Sequence, residues 1–291
     1  MKYAFIKSRK CKVPLVKQFE WLGISSSGYY DWLARLRKPA KPANRAQQSS
    51  VIDEAVRIAY EDRKHRYGSP RLHVHLQESG FPVALNTVAE SMRRQGLVAK
   101  AGRKFKATTN SAHSLPVSPN LLEQDFTCST INEKWAGDIT YLWTDEGWLY
   151  LAIVLDLFSR RIIGWSMSSR MTKDLVCDAM QMAISERTNI EGVIMHTDRG
   201  SQYCSKQFQA ILKANSIRPS MSRKGDCYDN ACSESFFHTL KVEAIHGECF
   251  PTREAMREAV FEYIETDYNR TRHHTTIGNM SPVNYEMANA A

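Results

Sequence analysis

The 291-residue chain is 43% hydrophobic and 24% charged, and 39 Lys and Arg against 31 Asp and Glu leave a net charge of +8. That length can bury a substantial core in two or three domains, and the basic excess points to a polyanionic partner. No run of 18 apolar residues could span a bilayer, the start Met1-Lys-Tyr-Ala-Phe-Ile-Lys7 lacks the apolar core of a secretion signal, and the seven cysteines include no Cys-x-x-Cys pair. Membrane, exported and zinc-finger classes are therefore set aside, and the expectation is a cytoplasmic protein with access to DNA.

In chain order, Pro14 to Trp21 and Ser27 to Leu36 predict two short helices joined through Gly23 with Ser25 or Ser26 as a cap, the outline of a helix-turn-helix. Tyr29, Tyr30 and Trp32 could stack on bases, but aromatic residues at this spacing in a small helical unit usually form its core, and that reading is preferred. Lys38 to Arg45, with Pro39 and Pro42, reads as a linker. A second helical unit follows, in which Ser69-Pro70 caps and starts a helix carrying Leu72 and Leu76 and Gly80 turns the chain. Asn86 to Gln95 then forms a helix with Val88 and Met92 inward, stopped by Gly96. As the second helix of a helix-turn-helix it would bring Asn86 and Thr87 to base edges and Arg93 and Arg94 to phosphates. A helical linker domain with a solvated polar face is the alternative. Arg103 through Asn120 reads as a long basic tether. Residues 1–127 hold 22 Lys and Arg against 10 Asp and Glu, or +12, and the remainder 17 against 21, or −4. The grip on a polyanion is thus expected ahead of an acidic core.

Residues 133–221 alternate strand and helix patterns. Lys134 to Leu142, Gly147 to Ser159, Arg161 to Ser168, Val193 to Thr197 and Arg218 to Met221 predict strands; Lys173 to Glu186 and Gln207 to Ala214 predict helices. The pattern fits an α/β fold with a mixed sheet flanked by helices. In the first strand Asp138 and Thr140 face one way and Ile139 and Tyr141 the other, so Asp138 projects from a sheet whose opposite face is buried. Asp198 ends the apolar run Gly192-Val-Ile-Met-His-Thr-Asp198 at the turn Arg199-Gly200-Ser201, where a carboxylate is held rigidly yet reaches solvent. The polar loop Ser222 to Asn230 leads into a helix from Ala231 to Ile245, with Asp229 as its cap. On that helix Asn230, Glu234, His238 and Lys241 return to one face. Asp156, a charge within an apolar strand, is the rival acid and reads as a supporting residue. A last helix, Arg253 to Tyr268, runs into Asn269-Arg-Thr-Arg-His-His274, where Arg270, Arg272 and His273 have the chemistry for phosphate contacts.

A single Asp at a strand end is usually a cap or turn residue, so the argument rests on the set of three. Mg2+ prefers oxygen ligands in octahedral geometry, held by few carboxylates plus phosphate and water, and two ions about 3.5–4 Å apart can stabilise the attacking and leaving oxygens of a displacement at phosphorus. Asp138, Asp198 and Glu234, the last two with 35 residues between them, have this chemistry, and Lys241 lies two turns after Glu234, where it can grip a phosphate.

The segments Trp135-x-x-Asp138-Ile-Thr-Tyr141, His196-Thr-Asp198-Arg-Gly-Ser-Gln-Tyr203 and Gly225-x-x-x-Asp229-Asn-x-x-x-Glu234-Ser-Phe-Phe237, with Lys241 beyond, resemble the Asp-Asp-Glu core of retroviral-integrase-like transposases. With Tyr67-Gly-Ser-Pro-Arg71 upstream and Tyr268-Asn-Arg-Thr-Arg-His273 and Ser281-Pro282 downstream, the chain is similar nearly end to end to the second-frame (OrfB-type) transposase of the bacterial insertion-sequence-three family. The resemblance implies a ribonuclease-H-like core at 133–245. Ahead of it lie a helix-turn-helix-like region at 1–44, a second such DNA-binding domain at 45–105 and a basic linker at 106–132. A helical basic extension at 246–291 follows. It implies Asp138, Asp198 and Glu234 as catalytic and metal residues for two Mg2+, with Mn2+ substituting. Water would be activated for the cut at an element end, and the released 3′-hydroxyl would attack a second phosphodiester in a copy-out, paste-in movement. The expected partners are terminal inverted repeats, target DNA, further copies of the chain, and a first-frame protein or frameshift fusion supplying the coiled coil absent here. A DNA-binding regulator that no longer cuts is the rival function, and an intact carboxylate set argues against it. A structural ribonuclease or resolvase is a third, and would not need two upstream DNA-binding modules.

Overall fold

The computed structural model describes residues 2–8, 13–37, 44–100, 117–223 and 230–289. Most of the expected linker, the start of the tether, and the loop holding Asp226, Cys227 and Asp229 lie outside the described residues, as does the expected Asp229 cap.

Three helices open the chain: α1 (Lys2–Ser8), α2 (Leu15–Leu22) and α3 (Ser26–Arg37). α2 stops at Gly23, whose φ of 58° suits a residue without a side chain. Ile6, Phe19 and Tyr29 form the buried centre, with Tyr3, Trp32 and Leu33 packed against it, so the aromatic pair Tyr29 and Trp32 is core while Tyr30 points outward. α1, which the sequence reading does not anticipate, supplies Tyr3 and Ile6.

The second unit has three helices, α4 (Asn44–Asp62), α5 (Ser69–Glu78) and α6 (Leu85–Gln95). Leu72 and Leu76 of α5 and Val88 and Met92 of α6 meet Val56, Ala59 and Tyr60 of α4 in one cluster. α5 begins one residue earlier than expected, with extended Gly68 as the cap position and Pro70 in the first turn, so Ser69 is inside the helix. α6 ends at Gly96, as its φ of 66° requires.

The remaining chain builds a five-stranded sheet from β1 (Lys134–Thr144), β2 (Gly147–Asp156), β3 (Ile162–Ser168), β4 (Ile194–Thr197) and β5 (Arg218–Met221), in the order β3-β2-β1-β4-β5. β1–β2 and β2–β3 are antiparallel; β1–β4 and β4–β5 are parallel. α7 (Lys173–Glu186) and α8 (Lys206–Ala214) cover one face, packing on Trp135, Val154, Ile163 and Met195. The opposite face, carrying Ala136, Leu142, Leu151, Ile153 and Leu155, is covered by α9 (Ala231–Leu240) and α10 (Arg253–Glu262). Each of these helices continues as a π-helical turn, Lys241–Ile245 after α9 and Tyr263–Tyr268 after α10. α11 (Pro282–Ala288) ends the described chain. The mixed sheet with helices on both sides is the expected ribonuclease-H-like architecture. One detail differs: Asp138 does not rise from an open face, because its face is also covered, by helices from the C-terminal third. Met256, Val260, Tyr263, Ile264 and Tyr268 are buried there, so the last long helix completes the core.

Candidate active site

Register places the acids. β1 and β4 run parallel with Gly137 opposite Thr197, so Asp138, on the face of Ala136, is level with Asp198, the first residue past β4. β4 stops at Thr197, where the chain turns: the Gly200 N–H donates to Asp198 Oδ1 at 2.8 Å, Arg199 Nε donates to the Ser222 carbonyl at 2.7 Å, and the Ser222 N–H donates to the Thr197 carbonyl at 3.0 Å. Asp138 Oδ1 accepts from the Ile139 N–H at 2.8 Å. α9 packs on β1 and carries Glu234 in its first turn, on the solvent side of a helix whose Phe236, Phe237 and Leu240 are buried.

The electrostatics follow from this arrangement. Burial, then the charge of Asp198, then that of Glu234, push the Asp138 carboxyl well above its ordinary value, while the Ile139 amide and Lys241 pull the other way. Partial burial raises Glu234. Lys241 opens the π-helical turn, its ammonium 5.1 Å from the Tyr141 ring centre. Burial lowers its proton affinity and Asp138 partly restores it. Among the described residues no group of three or more His, Cys, Asp and Glu side chains is gathered closely enough to enclose an ion. Asp138 and Asp198 are paired by the sheet, and Glu234 stands exposed beside them.

Tyr203, within the quoted motif but given no role by the sequence reading, is 2% exposed and flanks Gly200 together with Asp198. Its hydroxyl has no hydrogen-bond partner among the described residues, and burial followed by the charges of Asp138 and Asp198 holds its proton tightly. Asp156 is separate from the acids. It is fully buried at the end of β2, where it accepts from the Asn132 and Phe158 N–H groups and lies 3.7 Å from Arg187, so it organises a turn rather than supporting the acidic site.

The expected DNA contacts divide. Asn86, Arg93 and Arg270 are exposed and Thr87 is half-buried. Arg94 is exposed but bonded to Asp53 of α4 at 2.5 Å, which holds α6 to its own unit. Arg272 must be corrected: it is buried against Glu243, with contacts of 3.0–3.2 Å, and a guanidinium enclosed this way does not face a phosphate. His273 is likewise buried, 3.2 Å from Glu78. The missed partner, Glu243, had a visible signal: an acid within the otherwise apolar Val242-Glu243-Ala244-Ile245, the same feature that singles out Asp156.

The family described as "Integrase core domain" matches residues 129–227, a second family of that description matches 234–289, and an "HTH-like domain" matches 48–105. Among solved structures, a simian T-cell lymphotropic virus intasome in complex with PP2A regulatory subunit B56 gamma aligns with TM-score 0.47 and 16% identity, over 80% of this chain and 74% of that one. The HTLV-2 integrase catalytic core in complex with magnesium aligns with TM-score 0.42 and 18% identity, over 55% of this chain and 99% of that one. The "Insertion element IS600 uncharacterized 31 kDa protein" of Shigella sonnei is 42% identical over 260 residues, 89% of this chain and 94% of its own. "Transposase InsF for insertion sequence IS3A" of Escherichia coli K12 is 54% identical over 291 residues, the whole of both chains. A likeness of that extent, with the acids aligned by the sheet and an integrase core on either side of the loop before α9, makes this chain a member of the IS3 family of insertion-sequence transposases.

Proposed function

We propose that the chain cuts and rejoins DNA phosphodiesters at insertion-sequence ends, with Asp138, Asp198 and Glu234 holding two Mg2+ ions, for which Mn2+ substitutes. The observation that carries this reading is the parallel β1–β4 register, which sets Asp138, within β1, level with Asp198, the first residue past β4, on the side of the sheet where α9 bears Glu234. The donor set fits such ions: it is all oxygen, from few carboxylates, leaving positions for water and substrate phosphate. Asp138, repelled by two neighbouring acids, also gains from positive charge among them. When bound, the ions supply charge that activates a water and stabilises the oxygens entering and leaving phosphorus.

The residues have separate tasks. Backbone amides anchor one oxygen of Asp138 and one of Asp198. Glu234, exposed on α9, closes the set when substrate arrives. Lys241, 8% exposed and backed by Tyr141, sets positive charge beside the carboxylates, where a DNA phosphate would approach. The first cut leaves a 3′-hydroxyl, which attacks a second phosphodiester, so no protein–DNA covalent bond forms. Asn86, Thr87 and Arg93 on α6 and Arg270 contact the DNA, whose terminal repeats and target the chain engages in the cytoplasm as an oligomer, joined to a first-frame partner. The division at residues 44, 105, 132 and 245 belongs to the same proposal.

Glu234→Gln, assayed on labelled element ends with Mg2+, should lose strand cleavage by about a thousandfold or more while keeping DNA affinity and Tm. Full retained activity removes Glu234 from the mechanism. Binding without cleavage by the parent chain, with Mg2+ and with chelator alike, would instead identify a regulator.

A further inference from the structure

Two motifs singled out in the sequence lie away from the acids, Tyr67-Gly-Ser-Pro-Arg71 and Tyr268-Asn-Arg-Thr-Arg-His273, and the fold sets them against each other. The Tyr67 hydroxyl donates to the Thr271 carbonyl at 3.0 Å and accepts from the His273 N–H at 3.2 Å. Arg66 donates to the Glu243 carbonyl at 3.0 Å and pairs with Asp267. Arg71 reaches the Glu243 carboxylate at 3.1 Å. Glu243 is 5% exposed and is also held by Arg272, at 3.0 Å, and by the Tyr263 hydroxyl, at 2.9 Å. Lys64–Glu262 and Lys100–Glu248 flank the contact at 2.5 and 3.2 Å. Cations of the second helical unit thus face acids of the core.

Glu243 is two residues past Lys241 on the π-helical turn that continues α9, and Lys241 feels the charge of Asp138. A path of direct contacts therefore runs from α5 through Arg71 and Glu243 to the helix of Glu234 and Lys241. We infer that Glu243, gripped by Arg71 from one side and Arg272 from the other, is a positioning residue that fixes the DNA-reading unit relative to the carboxylates. The bond cut then lies at a set number of base pairs from the sequence held by α6. This inference rests on the proposed DNA cleavage and adds the element that sets where it occurs.

Arg71→Ala removes the cross-unit arm and leaves the Glu243–Arg272 pair, and Glu243→Gln removes the charge while keeping the shape. Both variants of the full chain would be compared with the parent for Tm, for affinity to a labelled duplex carrying the DNA that flanks the reading frame, and for cleavage mapped to the nucleotide. The expected result for Arg71→Ala is affinity within about twofold of the parent, cleavage slower by about tenfold or more, and cuts spread over neighbouring phosphodiesters. Glu243→Gln should spread the cuts in the same way. A single cut position at the parental rate overturns the inference, as does a loss of affinity with the cut position unchanged, which would make Arg71 a DNA contact. If the parent itself cuts nothing in Mg2+, the proposed function fails, and hydrogen exchange at residues 241–245 decides the clamp alone. Faster exchange in Arg71→Ala sustains the clamp, and unchanged exchange sinks it.

Discussion

The carboxyl of Asp138 is deprived of water by the atoms around it and repelled by Asp198 and Glu234, so the folded state binds its proton more tightly than the unfolded chain does. A raised folded value contributes stability that is fully present below the unfolded carboxyl value, about pH 4, and is lost as pH rises through the folded value. The parent without divalent cation should therefore lose Tm relative to Asp138→Asn as pH climbs above about 4, and Mg2+ should narrow the gap. A Tm difference that is the same at every pH would rule this out. Comparing the two proteins isolates Asp138 from acids such as Glu243 and Glu286, whose folded values are lowered and whose stabilisation is lost as pH falls. Residue-level legibility was uneven for a plain reason. Arg270 and Arg272 look alike in sequence, but a two-residue step separates an exposed guanidinium from one enclosed by Glu243, and only the packing of the π-helical turn reveals which is which.

Elements were read best where periodicity was strong. All five strands, α7 and α8 fall within a few residues of expectation, and α9 and α10 start where expected and reach the expected ends with their π-helical turns, because apolar runs and alternation identify buried strands and amphipathic helices directly. α1, α4 and α11 lack such a signal: α1 and α11 are single short helices, and α4 offers few large apolar residues, with Val56 and Tyr60 its main buried side chains. Asp198 follows the end of β4 as its turn signal predicts, whereas Asp138 lies within β1, and its pairing with Asp198 is a matter of register, which depends on which strands are neighbours. One element contact carries a sharp expectation. A Cβ on Gly164 of β3 would stand 2.2 Å from the Ala179 carbonyl and 2.7 Å from the Ala183 amide nitrogen of α7. Backbone atoms cannot swing aside as a side chain can, so Gly164→Ala should cost about 1–3 kcal/mol or more in stability. Chemical denaturation measures it, and a midpoint equal to the parent's would show that α7 shifts without penalty.

At the scale of the whole molecule, charge is divided, +12 over residues 1–127 and −4 over the remainder. A basic front end ahead of an acidic core predicts DNA affinity that falls steeply with salt, since each phosphate contact releases counterions. In fluorescence anisotropy between about 50 and 200 mM salt, Arg93→Ala should weaken binding across sequences and reduce the slope of log affinity against log salt by about one. An unchanged slope would place the phosphate grip elsewhere. The same division limits what the second unit can offer: Lys64, Arg66, Arg71 and Lys100 face acids of the core, so its outward basic side chains matter more than its total charge.

Because Met256, Val260, Tyr263, Ile264 and Tyr268 seal the side of the sheet from which Asp138 rises, that side stays open on the ribosome until the message has been translated through Tyr268. A stop codon between the end of β5 at Met221 and position 268 would release a polypeptide with its strands made but apolar surface bare, prone to clump and to be degraded. Such an element would be silenced by lesions far downstream of its last acid.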